Sequence, residues 1–347
     1  MRKKWDWPLI VQILGVGSIS LLILYSINHK LAQSQFVFWI IGLIVLYLVS
    51  QFKATSWQNL TKFIYIGTII SLVLLHFIGN PVRGSVRWID LGIFRIQPSE
   101  IAKAAMILFL ANFYKDKSAG KVNNALTSLF FILPVSALIL VQPDLGNALS
   151  ILGIWFGMTL VAGFKLKHLL IFTASFLIIV TLFYELLAPY QKDRLTTFID
   201  PARDPLGTGY NIIQSKIAIG SGRFTGRGFG RGTQSQLNFL PEAESDFMFA
   251  SVAEQLGMLG ATILIILYLW SVSRIINITR DKDRYSQLIV AGVATFFIIQ
   301  FLVNVGMNLG LMPVTGITFP FVSYGGSSLI VSLFLVGLIY SVKLHSN

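Results

Sequence analysis

The sequence predicts an all-α, polytopic integral membrane protein with ten transmembrane helices and a large extracytoplasmic loop between helices 7 and 8. Hydrophobic residues make up 54% of the 347-residue chain and charged residues only 12%, whereas a soluble domain carries about 25% charged residues. The apolar runs approach helix-spanning length and lack the alternation of an outer-membrane barrel. We expect one membrane domain, 1–347, because no linker-like or low-complexity stretch divides the chain.

Ten apolar stretches mark the predicted spans. They fall near 8–27, 36–52, 62–79, 98–114, 125–142, 146–164, 168–188, 246–273, 287–309 and 323–342. The first stretch follows a basic N-terminus as in a signal peptide, but it is too long for one and no small-residue cleavage site follows it. We therefore expect a retained first helix.

The net charge of +12 predicts topology rather than a nucleic-acid partner, because the basic residues cluster on one side of the predicted spans. The predicted cytoplasmic segments contain Arg2, Lys3, Lys4, Lys115, Lys117, Lys121, Lys165, Lys167, Arg274, Arg280, Lys282 and Arg284. The short outer loops contain Lys30, Arg83, Arg87 and Arg95. This asymmetry places both termini in the cytoplasm. The chain contains no cysteine, which excludes disulfides, thiolate metal ligands and a thiol nucleophile.

The predicted outer loop, 189–245, is too long to be a simple connection, and loops of this length are functional or disordered. Its segment 212–219 is apolar with polar breaks, which predicts a short interfacial helix. The loop also contains aromatic residues that a disordered tether would lack. These are Phe198, Tyr210, Phe224, Phe229 and Phe239. We expect an ordered, partly membrane-embedded cap.

Two charged groups border the fourth span. Glu100 and Lys103 are three residues apart, so they can pair with each other or with loop residues. Intramembrane ionisable residues usually face a cavity, and the alternative is an ion pair that locks helix packing. Arg87 and Trp88 precede them and suit either an interfacial anchor or, with neighbouring arginines, an anion site.

A glycine-rich segment, 221–232, carries Arg223, Arg227 and Arg231 at every fourth position. It imitates a dinucleotide-binding motif, but no strand precedes it and no helix opens from it. Exposed backbone N–H groups and guanidinium forks suit a phosphate or diphosphate. The alternative is a solvated basic loop near anionic lipid headgroups.

Asp246 lies where an acidic cluster meets the eighth span. A carboxylate at such a border is half out of water, so its proton affinity is open to tuning. This makes Asp246 the candidate general base, with helix N-capping as the alternative. We expect Glu242 and Glu244 to be solvated. Glu254, two turns deeper, is either a cavity residue or a polar lock between helices.

Glycine and proline interrupt the region 304–328, which indicates broken backbone that lines a cavity or is buried in protein. Asn304, Asn308, Ser323 and Tyr324 offer neutral hydrogen-bonding groups there. Close helix packing through small residues is the alternative interpretation. We find no credible zinc-ligand spacing and no GxSxG motif.

Several segments together resemble the SEDS family of bacterial cell-envelope proteins, the group that contains RodA, FtsW and a sporulation homologue. They are RWIDLGIFRIQPSEIAK, VQPDLGNALS, YQKDRLTTFIDPARDP, GYNIIQSKIAIGSG, GTQSQLNFLPE, SDFMFASVAEQLG and MNLGLMPVTGITFPFVSYGGSS, in the family's order. The likeness covers essentially the whole chain, and GTQSQLNFLPE is similar to the RodA branch.

The resemblance implies a peptidoglycan glycosyltransferase of the bacterial cytoplasmic membrane, active in cell elongation and shape maintenance, with its active site facing outward. The implied substrate is lipid II, a disaccharide-pentapeptide on undecaprenyl diphosphate. The implied partners are a class B penicillin-binding protein and the elongation machinery, beside membrane lipids and without nucleic acid. No cofactor is certain, and a divalent cation, Mg²⁺ or Mn²⁺, stays open. A lipid II flippase and a non-catalytic activator of the penicillin-binding protein are the alternatives.

The resemblance also assigns residues. The family's essential aspartate falls on Asp246, its Arg-Trp pair on Arg87 and Trp88, and the Glu and Lys of its fourth helix on Glu100 and Lys103. The family usually has His-Thr where this chain has Glu244-Ser245, and Glu-Glu where it has Glu254-Gln255. The predicted substrate-binding residues are Arg87, Trp88, Glu100, Lys103, Arg223, Arg227, Arg231, Ser323 and Tyr324.

Overall fold

The computed structural model describes residues 5–78, 87–90, 92, 95–165, 167–168, 171, 174, 189–205, 207, 209–278 and 282–345. Its main helices are α1 (Trp7–Ile27), α2 (His29–Gln51), α3 (Ala54–Ile78), α4 (Pro98–Tyr114), α5 (Val122–Val141), α6 (Leu145–Val161), α7 (Pro189–Ile199), α8 (Tyr210–Gly222), α9 (Thr233–Gln236), α10 (Met248–Asn277), α11 (Arg284–Asn308) and α12 (Gly326–His345). A short antiparallel hairpin, β1 (Ile89–Asp90) and β2 (Arg95–Ile96), precedes α4.

The predicted helical membrane fold is confirmed. Within the described residues, seven helices are long and apolar enough to cross a membrane: α1, α2, α3, α5, α10, α11 and α12. Helix α6 is apolar but shorter. The predicted seventh span, 168–188, lies almost wholly outside the described residues, so the count of ten stays a prediction. Arg83 and several of the basic residues used for topology, Arg2, Lys3, Lys4 and Arg280, also lie outside them.

Some helices begin earlier than their apolar runs because polar residues form the first turn. Helix α2 starts at His29, where the side chain of Asn28 accepts hydrogen bonds from the backbone N–H groups of Lys30 and Leu31. An asparagine at this position satisfies N–H groups that have no partner inside the helix. Hydropathy alone does not register such a turn, which explains the predicted start at residue 36.

Asp6 joins three helix ends at one face of the bundle, which we call the terminal face. Its carboxylate accepts from Arg274 at 2.9 Å and from Lys343 at 2.6 Å, and its carbonyl accepts from the hydroxyl of Tyr340 at 2.7 Å. Burial acts to raise the pKa of Asp6, but hydrogen bonds from Lys343 and Arg274 outweigh it and hold that pKa below its usual range. The start of α1 and the ends of α10 and α12 therefore lie on the same face.

The opposite face carries the Asp246 region, and we call it the Asp246 face. Ser26, near the end of α1, donates to the side chain of Gln255 at 2.8 Å. Gln35, near the start of α2, donates to the carbonyl of Ser323 at 3.2 Å. These contacts join the ends of helices that point away from Asp6 to the polar segments around Asp246.

Helix α10 is broken at Gly257, whose backbone angles (φ 68°, ψ −168°) are not helical. A side chain at this position would meet the backbone nitrogen of Gly226 at 2.2 Å, so the break also requires glycine for space. The break divides α10 into a short segment, 248–256, and a long one, 258–277. Residues 248–255 are all buried, whereas the long segment exposes apolar side chains such as Ile266 and Trp270.

Candidate active site

Asp246 lies in a turn immediately before α10, and its side chain is half-buried. Three successive carbonyls of this turn are anchored by other segments. The carbonyl of Glu244 accepts from the backbone N–H of Tyr324 at 2.8 Å, and that of Ser245 accepts from the hydroxyl of Ser323 at 2.6 Å. The carbonyl of Asp246 accepts from two side-chain amides. We call residues 244–246 the Asp246 turn.

The two amides belong to Asn304 and Asn308, which are fully buried one turn apart on α11. Asn304 donates to the carbonyl of Asp246 at 3.2 Å and to that of Ile317 at 2.8 Å. Asn308 donates to the same Asp246 carbonyl at 3.0 Å, while its own oxygen accepts from the backbone N–H of Ala250, also at 3.0 Å. Asn308 thus ties the turn to the first turn of α10.

The alternative role of Asp246 as helix N-cap is wrong. The N-cap position of α10 is Phe247, and no side chain of the capping residue bonds to the first turn. Asn308 of the neighbouring helix supplies an acceptor there instead. The N-cap position of α10 therefore falls one residue after Asp246.

Ser323 and Tyr324 hold this turn from the other side. The Ser323 hydroxyl donates to Ser245 and accepts from the backbone N–H of Phe319 at 2.9 Å. Burial raises the pKa of the Tyr324 phenol, which also lies in the fields of Arg95 and Glu244. Both residues, predicted to bind substrate, therefore adjoin the Asp246 turn, and Ser323 uses its hydroxyl to hold the backbone.

Gly316 leaves space beside the carboxylate. Its φ is +74°, and a side chain added there would lie 3.8 Å from Oδ2 of Asp246. The segment 315–318 that contains it also packs against α6, because a side chain at Gly146 would meet the carbonyl of Thr315 at 2.5 Å. This segment therefore links the Asp246 turn to the residues of α4 and α6 described next.

Lys103 is fully buried, at 0% exposure, and binds three acceptors. Its ammonium lies 2.7 Å from Oε1 of Glu100 and 3.0 Å from the side-chain oxygen of Asn147. In the amide orientation that satisfies its neighbours, Gln300 accepts from Lys103 at 3.0 Å and donates to the carbonyl of Thr318 at 2.7 Å. Within the described residues Lys103 therefore forms the ion pair that was the alternative to facing a cavity, and an ammonium with three acceptors is stable when enclosed.

The Lys103 cluster, which comprises Glu100, Lys103, Asn147 and Gln300, adjoins the Asp246 turn. Gln300 and Asn304 are one helical turn apart on α11 and bind the successive carbonyls of Thr318 and Ile317. The second oxygen of Glu100 is buried and accepts no hydrogen bond among the described residues. The structure thus brings together the predicted site residues of α4 and the candidate base.

Arg87 lies beyond this cluster, at the turn between α5 and α6. Its guanidinium donates to the carbonyl of Gln142 at 3.3 Å and to that of Pro143. It is half-buried, as is Trp88. The next residue of that turn, Asp144, accepts from Asn147 at 2.8 Å, so Arg87 approaches the Lys103 cluster through the α5–α6 turn.

The hairpin after Trp88 is fixed mainly by Asp90. Its side chain accepts from the backbone N–H of Gly92 at 2.9 Å and from Arg95 at 3.2 Å, and these bonds lower the pKa of Asp90. The carbonyl of Arg95 accepts from Ser327 at 2.9 Å, at the start of α12. The hairpin is therefore docked beside the Asp246 face.

The glycine-rich segment is packed against α10. We call residues 222–232 the arginine strap. The backbone N–H of Arg227 donates to the carbonyl of Glu254 at 2.9 Å, and that of Gly228 to the carbonyl of Gln255 at 3.1 Å. A side chain at Gly222 would meet the carbonyl of Ala253 at 1.9 Å. The glycines let the strap lie directly on the backbone of α10.

The three arginine side chains of the strap are exposed. Arg227 donates to the hydroxyl of Thr233 at 3.0 Å. The strap meets the short segment of α10 at its far end, whereas Asp246 precedes its near end. This segment, 248–256, spans roughly 13 Å at about 1.5 Å per residue. The structure therefore does not place the arginines directly at the Asp246 turn.

Sequence reasoning missed four roles at this site. Asn304 and Asn308 were recognised as polar groups but not as anchors of Asp246. Asn147 and Gln300 were not recognised at all. The available signal was an uncharged amide inside an apolar helix, since a buried amide needs partners that a lipid-facing position cannot supply.

Metal ligation is the remaining chemical question. Within the part of the chain that the structure describes, no group of three or more His, Asp or Glu side chains could hold a metal ion. The described residues therefore do not provide a set of ligands for a protein-bound divalent cation.

Comparisons with known proteins agree with this arrangement. The profile of the FtsW, RodA and SpoVE cell cycle proteins matches residues 8–347. Peptidoglycan glycosyltransferase MrdB of Escherichia coli K12 is 38% identical over 309 residues, covering 88% of this chain and 83% of MrdB. Stage V sporulation protein E of Bacillus subtilis 168 is 34% identical over 363 residues, covering 99% of this chain and 98% of that protein.

Solved structures are similar throughout the chain. A chain from work on the structural coordination of polymerization and crosslinking by a peptidoglycan synthase complex gives a TM-score of 0.85 at 33% identity, covering 98% of this chain and 97% of that one. Rod shape determining protein RodA of Thermus thermophilus gives 0.73 at 26% identity, covering 99% and 98%. The chain therefore belongs to the FtsW/RodA/SpoVE family, the SEDS family that its motifs resemble, and has a RodA-like fold.

Proposed function

We propose that this protein is a peptidoglycan glycosyltransferase that polymerises lipid II into glycan strands, with Asp246 as its general base. The observation that carries the proposal is a half-buried carboxylate whose main chain is held from two sides by buried polar groups. A base that is held in place in this way needs little reorganisation when it accepts a proton. Relatives named peptidoglycan glycosyltransferase support the reaction class.

The reaction is a displacement at the anomeric carbon of the donor. Asp246 takes the proton of the acceptor 4-hydroxyl as that oxygen bonds to the anomeric carbon. The bond from this carbon to the diphosphate oxygen breaks, and the lipid diphosphate leaves with the electron pair. A single displacement inverts the carbon and gives a β-linkage from an α-linked donor. The donor carries its own leaving group, so no nucleotide is consumed.

The arginine strap is the proposed diphosphate site. Arg223, Arg227 and Arg231 are exposed, and guanidinium forks match phosphate oxygens. By contrast, Lys103 already binds three acceptors and Arg87 binds two backbone carbonyls. Those two residues, with the neighbouring substrate-binding candidates, would shape the donor site through packing and position. These candidates are Trp88, Glu100, Ser323 and Tyr324.

The proposed setting is the bacterial cytoplasmic membrane, with both termini in the cytoplasm and the Asp246 face outside. The support is the basic asymmetry of the sequence and the contact of Asp6 with Lys343, which puts the first and last helix ends on one face. Because the chain has no cysteine, single cysteines can report topology. A cysteine at Thr225 should react with an impermeant thiol reagent on intact cells, and one at Asp116 should not. The reverse pattern would put the active site in the cytoplasm.

The proposed partners are a class B penicillin-binding protein, which would crosslink the strands, and the elongation machinery. The likeness to a chain of a peptidoglycan synthase complex supports an assembly of this kind. The RodA-like motif GTQSQLNFLPE supports a role in elongation and cell shape.

Purified protein in detergent, given lipid II, tests the function. We expect glycan polymer, and none from the Asp246→Asn variant. A flippase would make no polymer under these conditions, because flipping has no meaning without a bilayer. A non-catalytic activator would make none unless the penicillin-binding protein supplied the activity. Polymer from both the wild type and Asp246→Asn would reject Asp246 as the base.

A further inference from the structure

Glu254 is fully buried on α10 and both of its carboxylate oxygens are occupied by donors. Oε1 accepts from the backbone N–H of Gln234 at 2.8 Å and from the hydroxyl of Thr233 at 3.5 Å. Oε2 accepts from the backbone N–H of Ser235 at 3.1 Å and from its hydroxyl at 2.8 Å. A carboxylate offers about four acceptor positions and no donor, so it matches this set of donors.

The donors all belong to α9, which directly follows the arginine strap. The backbone carbonyl of Glu254 also accepts from Arg227 at 2.9 Å. Glu254 therefore binds the strap near its middle through its main chain and just beyond its end through its side chain. A side chain at Gly232, between these two points, would lie 2.5 Å from Oε2, so the strap has no room to shift.

Gln255 adds a second attachment. Its side-chain oxygen accepts from the backbone N–H of Gly230 at 3.0 Å and from Ser26 at 2.8 Å. Its backbone carbonyl accepts from Gly228 at 3.1 Å. The arginine strap is thus fixed to the short segment of α10 and, through Ser26, to the end of α1. Its first residues are also bound to the long segment, because the N–H groups of Met258 and Leu259 donate to the carbonyls of Arg223 and Phe224 at 2.9 and 3.1 Å.

The same segment carries Asp246 at its other end. Asn308 binds both the carbonyl of Asp246 and the N–H of Ala250, so the turn and the start of the segment move together. The segment is buried along its length and is helical, which makes it a rigid spacer. Glu254 at one end and Asn308 at the other define the distance between the arginines and the candidate base.

We propose that Glu254 is a positioning residue that fixes the arginine strap at a set distance from Asp246. The strap would then bind the diphosphate of a lipid-linked sugar where the anomeric carbon of that sugar faces the base. This inference rests on the proposed function. It goes beyond the two roles that the sequence suggested for Glu254, because the carboxylate neither lines a cavity nor locks two spanning helices together. It holds a loop.

Spin-label distances test the positioning directly. Cysteines at Phe229 in the strap, between its contacts with Gln255, and at Leu269 on the long segment of α10 are both at exposed positions of a cysteine-free chain. In the otherwise unaltered full-length protein in nanodiscs we expect one narrow distance distribution. Glu254→Gln should broaden or shift it, because an amide nitrogen would face N–H donors. The matched control Asp6→Asn alters a buried, hydrogen-bonded carboxylate at the terminal face and should leave it unchanged.

Kinetics test the consequence. Glu254→Gln should raise the KM for lipid II more than it lowers kcat, since the strap would bind the diphosphate before and during the reaction. We expect a loss of about 10- to 100-fold in kcat/KM, the range that a misplaced binding group produces. In an Arg227→Ala background the same change should cost much less, because the Arg227 guanidinium, which donates to Thr233, is one of the groups that the Glu254 side chain would position through Thr233.

If Glu254→Gln fails to fold, Gly232→Ala provides the second variant, since it keeps the carboxylate and displaces the strap. An unchanged distance distribution in Glu254→Gln or in Gly232→Ala would overturn the inference. So would equal costs of Glu254→Gln in the wild-type and Arg227→Ala backgrounds. Failure of the proposed function is distinguishable, because it would appear as polymerisation by Asp246→Asn while the distance measurement still reported on the strap.

Discussion

The two ends of the short segment of α10 hold their carboxylates in opposite ways. At Asp246 the neighbouring groups bind the main chain: Asn304, Asn308 and Ser323 donate to carbonyls of the turn, and the side chain stays half-buried. At Glu254 the neighbouring groups bind the side chain, which is fully buried and accepts from four donors. The two residues are of similar chemistry, and we propose different roles for them.

The difference indicates which carboxylate can act as a base. A carboxylate whose lone pairs are occupied must lose hydrogen bonds before it accepts a proton, and each buried donor left without a partner costs about 1–3 kcal/mol. The Asp246 carboxylate differs in being half-buried, so part of it can be reached by a substrate, whereas that of Glu254 is fully enclosed. This difference supports the proposed roles, with Asp246 as the base and Glu254 as the residue that places a loop.

The largest effect is expected from Asp246→Asn, which removes the base and keeps its size and its backbone anchors. Activity should fall by about 10²- to 10⁴-fold, the usual contribution of a general base. Lipid II polymerisation in detergent measures it, with thermal unfolding as the check on folding. Glu244→Gln is the matched control two residues away, and we expect near-normal activity from it. Similar losses in both variants would show that local charge, not a base at Asp246, matters.

The sequence predicted the helical membrane fold and the family because both depend on long apolar runs and on ordered motifs. It also placed Glu100 and Lys103 on one helical face, where they pair at 2.7 Å. These features are local, since residues three apart on a helix are neighbours whatever surrounds them.

The anchoring of the site was not predictable in the same way. The contacts of Asn308 with Asp246 and of Gln300 with Lys103 join segments far apart in the chain. The hydrophobic periodicity of the sequence predicts helices but not which residues of different helices meet. The packing of the strap was not predictable either. Glycines at positions such as 222 and 226 are compatible with a loose loop and with close approach to α10, and only the packing partner distinguishes the two.

Lys103 is a third buried charged group. It resembles Glu254 because its three N–H donors are all bound, to Glu100, Asn147 and Gln300. Lys103→Met would leave Glu100 buried at 3% exposure without its cation. Breaking a buried pair in this way costs about 3–5 kcal/mol. Thermal unfolding should show a large loss of stability, and adding Glu100→Gln should restore much of it. Full stability of Lys103→Met alone would mean that the pair does not support the fold.

Asn308→Ala and Asn304→Ala loosen the Asp246 turn without touching the carboxylate. Each should leave buried groups without partners, at a cost of about 1–3 kcal/mol of stability, and should lower kcat more than it raises KM because the base is displaced. Asn308→Ala should have the larger effect, since Asn308 also binds Ala250. Gln12→Leu is the control: this buried amide has no partner among the described residues and should be dispensable. Normal kcat in both asparagine variants would show that the turn does not need these anchors.

The smallest single effects are expected in the arginine strap. Arg223, Arg227 and Arg231 are exposed, so each change to alanine should alter stability by no more than about 0.5 kcal/mol. Each should instead raise the KM for lipid II, and the triple variant should do so more than any single one. Lysine should rescue only in part, because it supplies a point charge without the guanidinium fork.

A charge-matched control separates local binding from net charge. Lys53, Lys117 and Lys121 are exposed at the terminal face, and changing all three to alanine removes the same charge far from Asp246. Polymerisation measured across lipid II concentrations, at two salt concentrations, should show a raised KM only for the strap variants. An unchanged concentration dependence in the triple arginine variant would mean that the strap is a basic surface near lipid headgroups. The contacts of Glu254 would then not serve to position a diphosphate. The different hydrogen bonding of Asp246 and Glu254 would in that case affect only the stability of the fold.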